Sequence, residues 1–387
     1  MARFARHAGA VGLTRIANVT GLDYLGVPVF MSVRPNARSL SVAQGKGFDE
    51  KSARVSAFME AVEMAHAEQP TPRLRTSSYA EMGARARVPD PNLLPQQKGR
   101  AFRRNREIAW IAGNSLRDGE TVWVPHDLVH LDFTRPPHPA SGFLISSNGL
   151  ASGNHPLEAL CAGLYEVIER DATALWRFQR GTKRAEMRLL LSSVTDPDCR
   201  SLLDRLHGCE MSVAVWDVTT DIGVASFLCR IREAPGNTRS RLGPFWGSGC
   251  HLSRNIALSR AVTEAVQSRL TYIAGSRDDL RARDYIDPPE QALFDLASDI
   301  HEQRARNRRF EDVPDFCSKT FEEDLQHLIS RLAAAHLTEI VMIDLTRPSI
   351  GIPVIRVIVP GLEGMNDFCT CKPGPRARAL LQARAAA

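Results

Sequence analysis

No stretch of this sequence approaches the roughly 18 consecutive apolar residues that a membrane-spanning helix requires. The N-terminal segment MARFARHAGAVGLTRIANVTG carries arginines but no apolar core. It does not read as a signal peptide, and a cytoplasmic protein is expected. The eight cysteines, at 161, 199, 209, 229, 250, 317, 369 and 371, show neither CxxC spacing nor a dense framework. That sets aside a disulfide scaffold and leaves reduced thiols as the default. Cys369 and Cys371 form the one close pair, and a metal site there lacks a second pair of ligands. The stretch AQGKG is no Walker loop, because its lysine is not followed by Ser or Thr, and no G-x-G-x-x-G follows a strand.

What remains is an ordinary globular composition. The chain has 387 residues, 43% hydrophobic and 24% charged, enough for a sizeable core in one large unit or two subdomains. The net charge is +5 and the pI about 8.8, with the charge spread out rather than run together. An anionic small molecule or peptide fits that balance as well as nucleic acid does.

One arrangement recurs three times. Residues 39–69, 143–176 and 244–275 each read as a short strand, a Gly-rich loop and then a helix. Asp49, Asn154 and Ser253 are candidate N-caps, Pro156 suits a first turn, and Gly275 is a stop signal. Each helix carries a polar pair at i, i+3: Glu60 and Glu63, Glu166 and Glu169, Glu264 and Gln267. That spacing puts both members on one face. Like charges there repel, so either the face is solvated or something strongly positive sits between the carboxylates. Five carboxylates and an amide, each pair following a Gly-rich loop, suit Mg2+ with nucleotide phosphates. Lys46, between Gly45 and Gly47, is either a loop lysine or a phosphate contact freed by its glycines.

The segments 211–220 and 224–231 read as neighbouring strands joined at Asp221 and Gly223, and 339–346 with 353–361 as a second such pair. Residues 89–107 and 283–291 are candidate linkers. Arg103, Arg104 and Arg106 read as solvated surface, and Trp176, Trp216 and Trp246 as core. His155 reads as a loop residue, kept in view because it lies near the carboxylates.

Four blocks together carry a resemblance: GKG…SAFMEAVE, SSNGLASGNHPLEALCAGLYEVIERD, GSG…ALSRAVTEAVQSR and DLTRPSIGIPVIRVIVPGLEG. The chain resembles the YcaO family, which uses ATP to activate backbone amides. The blocks run from about residue 45 to 364, which implies one catalytic domain over 1–387 with a tail at 365–387. The implied fold is α+β, with sheets and helices around a central ATP and Mg2+ site built from the loosely repeated units. By resemblance, Glu60, Glu63, Glu166, Glu169 and Glu264 are metal ligands. Lys46, Ser56, Asn154, Arg170 and Gln267 bind the nucleotide, and Glu169 and Arg170 are catalytic. The implied chemistry adds a nucleophile to a peptide carbonyl, whose oxygen takes a phosphoryl group from ATP and leaves as phosphate.

A side-chain nucleophile gives an azoline, sulfide a thioamide, and an amine an amidine. Azoline-forming members end in a Pro-x-Pro-x-Pro tail. Here Pro373 and Pro375 are followed by Ala377, and because the family blocks fill the chain no fused peptide-clamp domain is expected. Both departures favour the stand-alone type that works with TfuA proteins and makes thioamides. The expected partners are a peptide or protein substrate, a TfuA-like protein and a sulfur donor. Nucleic acid and membrane are not among them, and a homodimer stays open. The alternatives are an azoline-forming cyclodehydratase with a separate clamp protein, and a nucleotide-binding accessory protein of the same fold.

Overall fold

The computed structural model describes residues 7–235, 242–280, 285, 308–364 and 371–386. Twelve strands form three antiparallel sheets among them. The first sheet has β1 (Arg15–Asn18), β2 (Val29–Val33) and β3 (Val42–Lys46), in the order β1-β2-β3. The largest contains β4 (Leu74–Ser77), β5 (Ile108–Ser115), β6 (Thr121–Pro125), β7 (Leu150–Ser152), β11 (Val341–Asp344) and β12 (Val354–Ile358). Its order is β4-β5-β11-β12-β7, with β6 beside β5. The third has β8 (Met211–Asp217), β9 (Ser226–Glu233) and β10 (Phe245–Cys250), in the order β10-β9-β8. The helices are α1 (Glu50–Ala67), α2 (Tyr79–Arg85), α3 (Pro156–Phe178), α4 (Gly181–Glu186), α5 (Pro197–Gly208), α6 (Arg254–Ala274), α7 (Phe321–Ala334) and α8 (Pro375–Ala386). The expected α+β fold and both expected strand pairs are present, β8 with β9 and β11 with β12.

The three repeated units are β3–α1, β7–α3 and β10–α6. Each strand of a unit is the edge of its own sheet. Each helix covers that edge and also reaches the edge strand of the next unit. Thus α1 packs on β3 and β7, α3 on β7 and β10, and α6 on β10 and β3. The three sheet edges meet in a closed cycle through the helices.

The glycines make this contact, and they do so as strand residues rather than as loop freedom. A Cβ on Gly45 would stand 2.0 Å from the Ala57 nitrogen and 2.4 Å from the Ala53 oxygen. A Cβ on Gly247 would stand 2.1 Å from the Ala265 nitrogen, and one on Gly249 2.1 Å from the Ala257 oxygen. Small residues on both sides let each strand lie directly on its helix backbone. The expectation of a flexible loop around Lys46 is corrected accordingly: Gly45 and Lys46 belong to β3.

Local capping follows the sequence in part. Asp49 accepts the Ser52 amide at 2.7 Å in a reciprocal capping box. Gly275 ends α6 at φ 59°. Ser253 occupies the N-cap of α6 without a side-chain bond, and Asp315 accepts the Arg254 amide at 3.0 Å instead. The cap of α3 is His155, not Asn154: its Nδ1 accepts the Leu157 amide at 3.2 Å, with Pro156 at the first helical position.

Residues 89–107 are no free linker. Asp90 caps a short 3-10 turn over Pro91–Leu93, Leu94 is buried, and Gln96 and Gln97 bridge to Phe143 and Cys371. Arg103, Arg104 and Arg106 are exposed, as expected. Trp176 and Trp216 are buried, with Trp246 half-buried against both. Of the second candidate linker, 283–291, everything but Tyr285 lies outside the described residues, as does Cys369. Among the described residues no helix is long and apolar enough to cross a membrane.

Candidate active site

The same cycle fixes the polar pairs. Glu63 on α1 accepts the amide and hydroxyl of Ser152 on β7, at 2.9 and 2.7 Å. Glu169 on α3 accepts the Ser248 hydroxyl on β10 at 2.7 Å. Glu264 on α6 pairs with the Lys46 ammonium on β3 at 2.7 Å. Each unit therefore bonds forward to the next. Two carboxylates also bond back to their own strands: Glu60 to the Gln44 amide and Glu264 to the Ser248 amide, both at 3.3 Å. Serine or lysine at these strand positions holds each carboxylate still with a charge-assisted bond.

Three of the carboxylates are poorly neutralised. Burial pushes Glu63 up to about 8, against the bonds from Ser152 and helped by the charges of Glu60 and Glu166. Burial pushes Glu166 up to about 7, against Arg170. Burial also raises Glu60, against Lys46 and Arg277. Glu264 is the exception. Burial acts to raise it, but Lys46 and Arg170 win and hold it down at about 2. The Arg170 guanidinium lies 3.9 Å from Glu166. Burial disfavours its charge, and the carboxylates of Glu166, Glu169 and Glu264 outweigh that. A hard divalent cation would supply the charge that Glu60, Glu63 and Glu166 lack, and an all-carboxylate donor set suits Mg2+.

Of the residues singled out in the sequence, Lys46, Glu60, Glu63, Glu166, Glu169, Arg170 and Glu264 come together. The other three sit at the margin. Ser56 is half-buried one turn before Glu60, and Gln267 half-buried one turn after Glu264. Asn154 is exposed, and its amide and side chain donate to Glu158 at 2.7 and 3.2 Å.

The sequence reading missed several participants. Lys46, Ser152 and Ser248 are each strand residues followed directly by glycine, and that parallel was readable. Arg260 acts on Glu166 and Glu264, and Arg277 on Glu60. Arg356 is fully buried in β12, donates through Nη2 to the Leu128 and Ser146 carbonyls, and acts on Glu166. Its signal was a lone arginine inside the apolar run PVIRVIVPG. The buried thiols of Cys161, Cys199 and Cys250 are pushed up to about 12 by burial, which makes them unreactive near neutral pH.

The family model described as YcaO cyclodehydratase, ATP- and Mg2+-binding, matches residues 44–363. The chain belongs to the YcaO family. ATP and Mg2+ are the cofactors that go with that membership. A Rhizobium leguminosarum bv. trifolii protein named as an uncharacterized protein in the tfuA 3′ region is 40% identical over 92% of this chain and 85% of its own. A Methanothermobacter thermautotrophicus protein is 35% identical over 93% of this chain and 92% of its own. Among solved structures, the YcaO protein of Methanopyrus kandleri, bound with AMPPCP and Mg2+, superposes with a TM-score of 0.73 at 23% identity, covering 96% and 92% of the two chains. A heterocyclase in complex with substrate and cofactor gives 0.74 at 24% identity over 91% of this chain, which spans 50% of the heterocyclase. At these identities the structural likeness shows the YcaO fold.

Proposed function

We propose that this YcaO protein activates a peptide backbone amide by O-phosphorylation with ATP and replaces its oxygen with sulfur, giving a thioamide. The observation that carries the reading is the closed cycle of Glu63, Glu169 and Glu264. It concentrates five carboxylates and Arg170 from three helices at one point, as nucleotide phosphates with their cations require.

In this reading Glu60, Glu63, Glu166, Glu169 and Glu264 hold Mg2+. Bound Mg2+ supplies charge compensation to the phosphates. Lys46, Ser56, Asn154 and Gln267 contact the nucleotide, and Lys46 exchanges part of its bond to Glu264 for phosphate oxygen. Arg170 offsets charge that develops as phosphoryl transfer proceeds, and Glu169 keeps Arg170 and the cation in place. Sulfide, free or from a carrier protein, adds to the carbonyl carbon. The former carbonyl oxygen accepts the phosphoryl group and departs as phosphate, leaving ADP.

Thioamide formation is favoured over azoline closure by the tail and by the named neighbourhood. Pro375 starts α8 instead of extending a proline tail, and Ala377 is wholly buried with its amide on Glu363 at 2.9 Å. The tfuA region in the name of the Rhizobium relative points to a TfuA-like partner. Mass spectrometry of a substrate peptide after reaction with ATP, sulfide and the partner tests the reading. Exchange of oxygen for sulfur adds about 16 Da, whereas ring closure removes about 18 Da, as the atom balance of each route requires. Loss of water with a substrate Cys, Ser or Thr as the attacking group would refute thioamidation.

A further inference from the structure

A second group of ligating side chains, of different chemistry, lies on the turn after β6. Strand β6 ends at Pro125 and turns through a 3-10 segment over His126–Leu128. The His130 amide donates back to the His126 carbonyl at 3.0 Å, closing one turn. That turn puts His126 and His130 on one face, their rings stacked with centroids 4.5 Å apart. Asp127 stands between them, with Oδ1 3.5 Å from His130 Nε2. One ligand atom from each of the three lies within 4.8 Å of the other two.

The group is enclosed. The side chains of His130 and Asp127 are 11% and 12% exposed. The buried Asp127 Oδ2 and the buried Ser141 hydroxyl are neighbours, and the His130 imidazole lies beside Oδ1. The nearby cation Arg135 is engaged by Asp132 at 3.6 Å.

We propose that His126, Asp127 and His130 form a cation site of two imidazoles and one carboxylate, taking a metal of the Zn2+ class. Imidazole nitrogen suits Zn2+, whereas Mg2+ prefers oxygen throughout, so this site and the carboxylate cycle select different cations. His130 Nδ1 accepts the Asp132 amide at 3.1 Å, which puts the ring proton on Nε2, towards Asp127. On coordination through Nε2 that proton moves to Nδ1 and the Asp132 bond is given up, with no net proton released. The consequence reaches the active site. The Leu128 carbonyl, in the middle of the same turn, accepts Arg356 Nη2 at 2.6 Å, and Arg356 faces Glu166. A metal that pins residues 126–130 also pins Arg356.

The test uses the full chain, stripped with chelator and titrated with Co2+, then examined by visible and X-ray absorption. One equivalent of Co2+ should bind with visible d–d bands and the scattering pattern of two imidazoles, persist in excess Mg2+, and be displaced by Zn2+. His126→Ala and Asp127→Asn should each weaken binding at least tenfold. A folded wild-type chain that shows no such bands overturns the proposal. So does a thiolate charge-transfer band, which would place the metal on cysteine, or undiminished binding in both variants. If a variant fails to fold, the imidazole count in the wild-type spectrum decides alone.

Discussion

Lys46 Nζ stands 2.7 Å from the Glu264 carboxylate, although 218 residues separate the two. The bond joins the first repeated unit to the third and closes the cycle. Lys46 therefore holds structure as well as charge. Lys46→Ala should lower stability by about 1–2 kcal/mol, because a part-buried carboxylate loses its partner among other carboxylates. It should also weaken ATP binding. Urea melts with and without Mg2+, beside nucleotide titrations, check both. Unchanged stability with weakened ATP binding would make Lys46 a phosphate contact alone.

Glu166→Gln separates function from folding. Burial pushes the Glu166 carboxyl up to about 7, so its charge is disfavoured before any cation binds. A neutral amide of the same shape should leave the melting temperature unchanged or slightly raised in the absence of Mg2+. ATP hydrolysis should be lost. A folded Glu166→Gln protein with wild-type ATPase activity would remove Glu166 from the cation site.

The glycines give a steric prediction. Gly45→Ala and Gly249→Ala each put a methyl carbon within about 2 Å of helix backbone, so strand and helix must separate. Overpacking of this kind costs roughly 3 kcal/mol or more when backbone has to move. Gly21→Ala, where nothing lies within 4 Å, is the control. Equal melting temperatures for all three proteins would contradict the close packing of strand on helix.

The repeated units were legible because everything that marks them is local: a capping residue, an apolar helical period and a polar pair at i, i+3. The cycle was not, because its bonds span 89, 79 and 218 residues. No periodicity says which strand a helix will meet second. Residue preference points to Asn154 as the cap of α3, yet Pro156 at the first helical position sets the cap one residue later, at His155. Arg260 and Arg277 escaped because a single cation shows no pattern until the chain is folded around it.

His66 makes stability depend on pH. Its ring is wholly buried, with Nδ1 2.7 Å from the Val62 carbonyl, and burial, assisted by Arg347 and Arg34, lowers it from 6.5 to about 4. The unfolded chain takes up this proton near its ordinary value, the folded chain only near the lowered one. The contribution is therefore complete above the unfolded value and is lost as pH falls towards the folded one. It amounts to roughly 3 kcal/mol. Between neutral pH and about pH 4, wild type should lose that much more stability than His66→Gln in urea melts. Parallel losses in the two proteins would refute the assignment.

Arg376 ties the C-terminal helix to the residue beside Arg170. Asp171 is wholly buried, lies 3.1 Å from the Arg376 guanidinium and accepts the Glu363 amide at 3.0 Å. Glu363 in turn accepts the amides of Gly374 and Ala377 at 2.7 and 2.9 Å, which fixes the start of α8. Burial raises Asp171 to about 7 even with Arg376 in place. Arg376→Ala would strand that carboxyl, but protonation limits the penalty near neutral pH, so the loss should be about 3 kcal/mol, at the low end for a broken buried pair. The loss should grow as pH rises, because keeping the proton on Asp171 then becomes harder. Asp171→Asn in the same chain should restore most of the stability and remove the pH dependence, as no charge is left to strand. A melting temperature for Arg376→Ala that matches wild type from neutral to alkaline pH would show that the tail is not anchored through this pair.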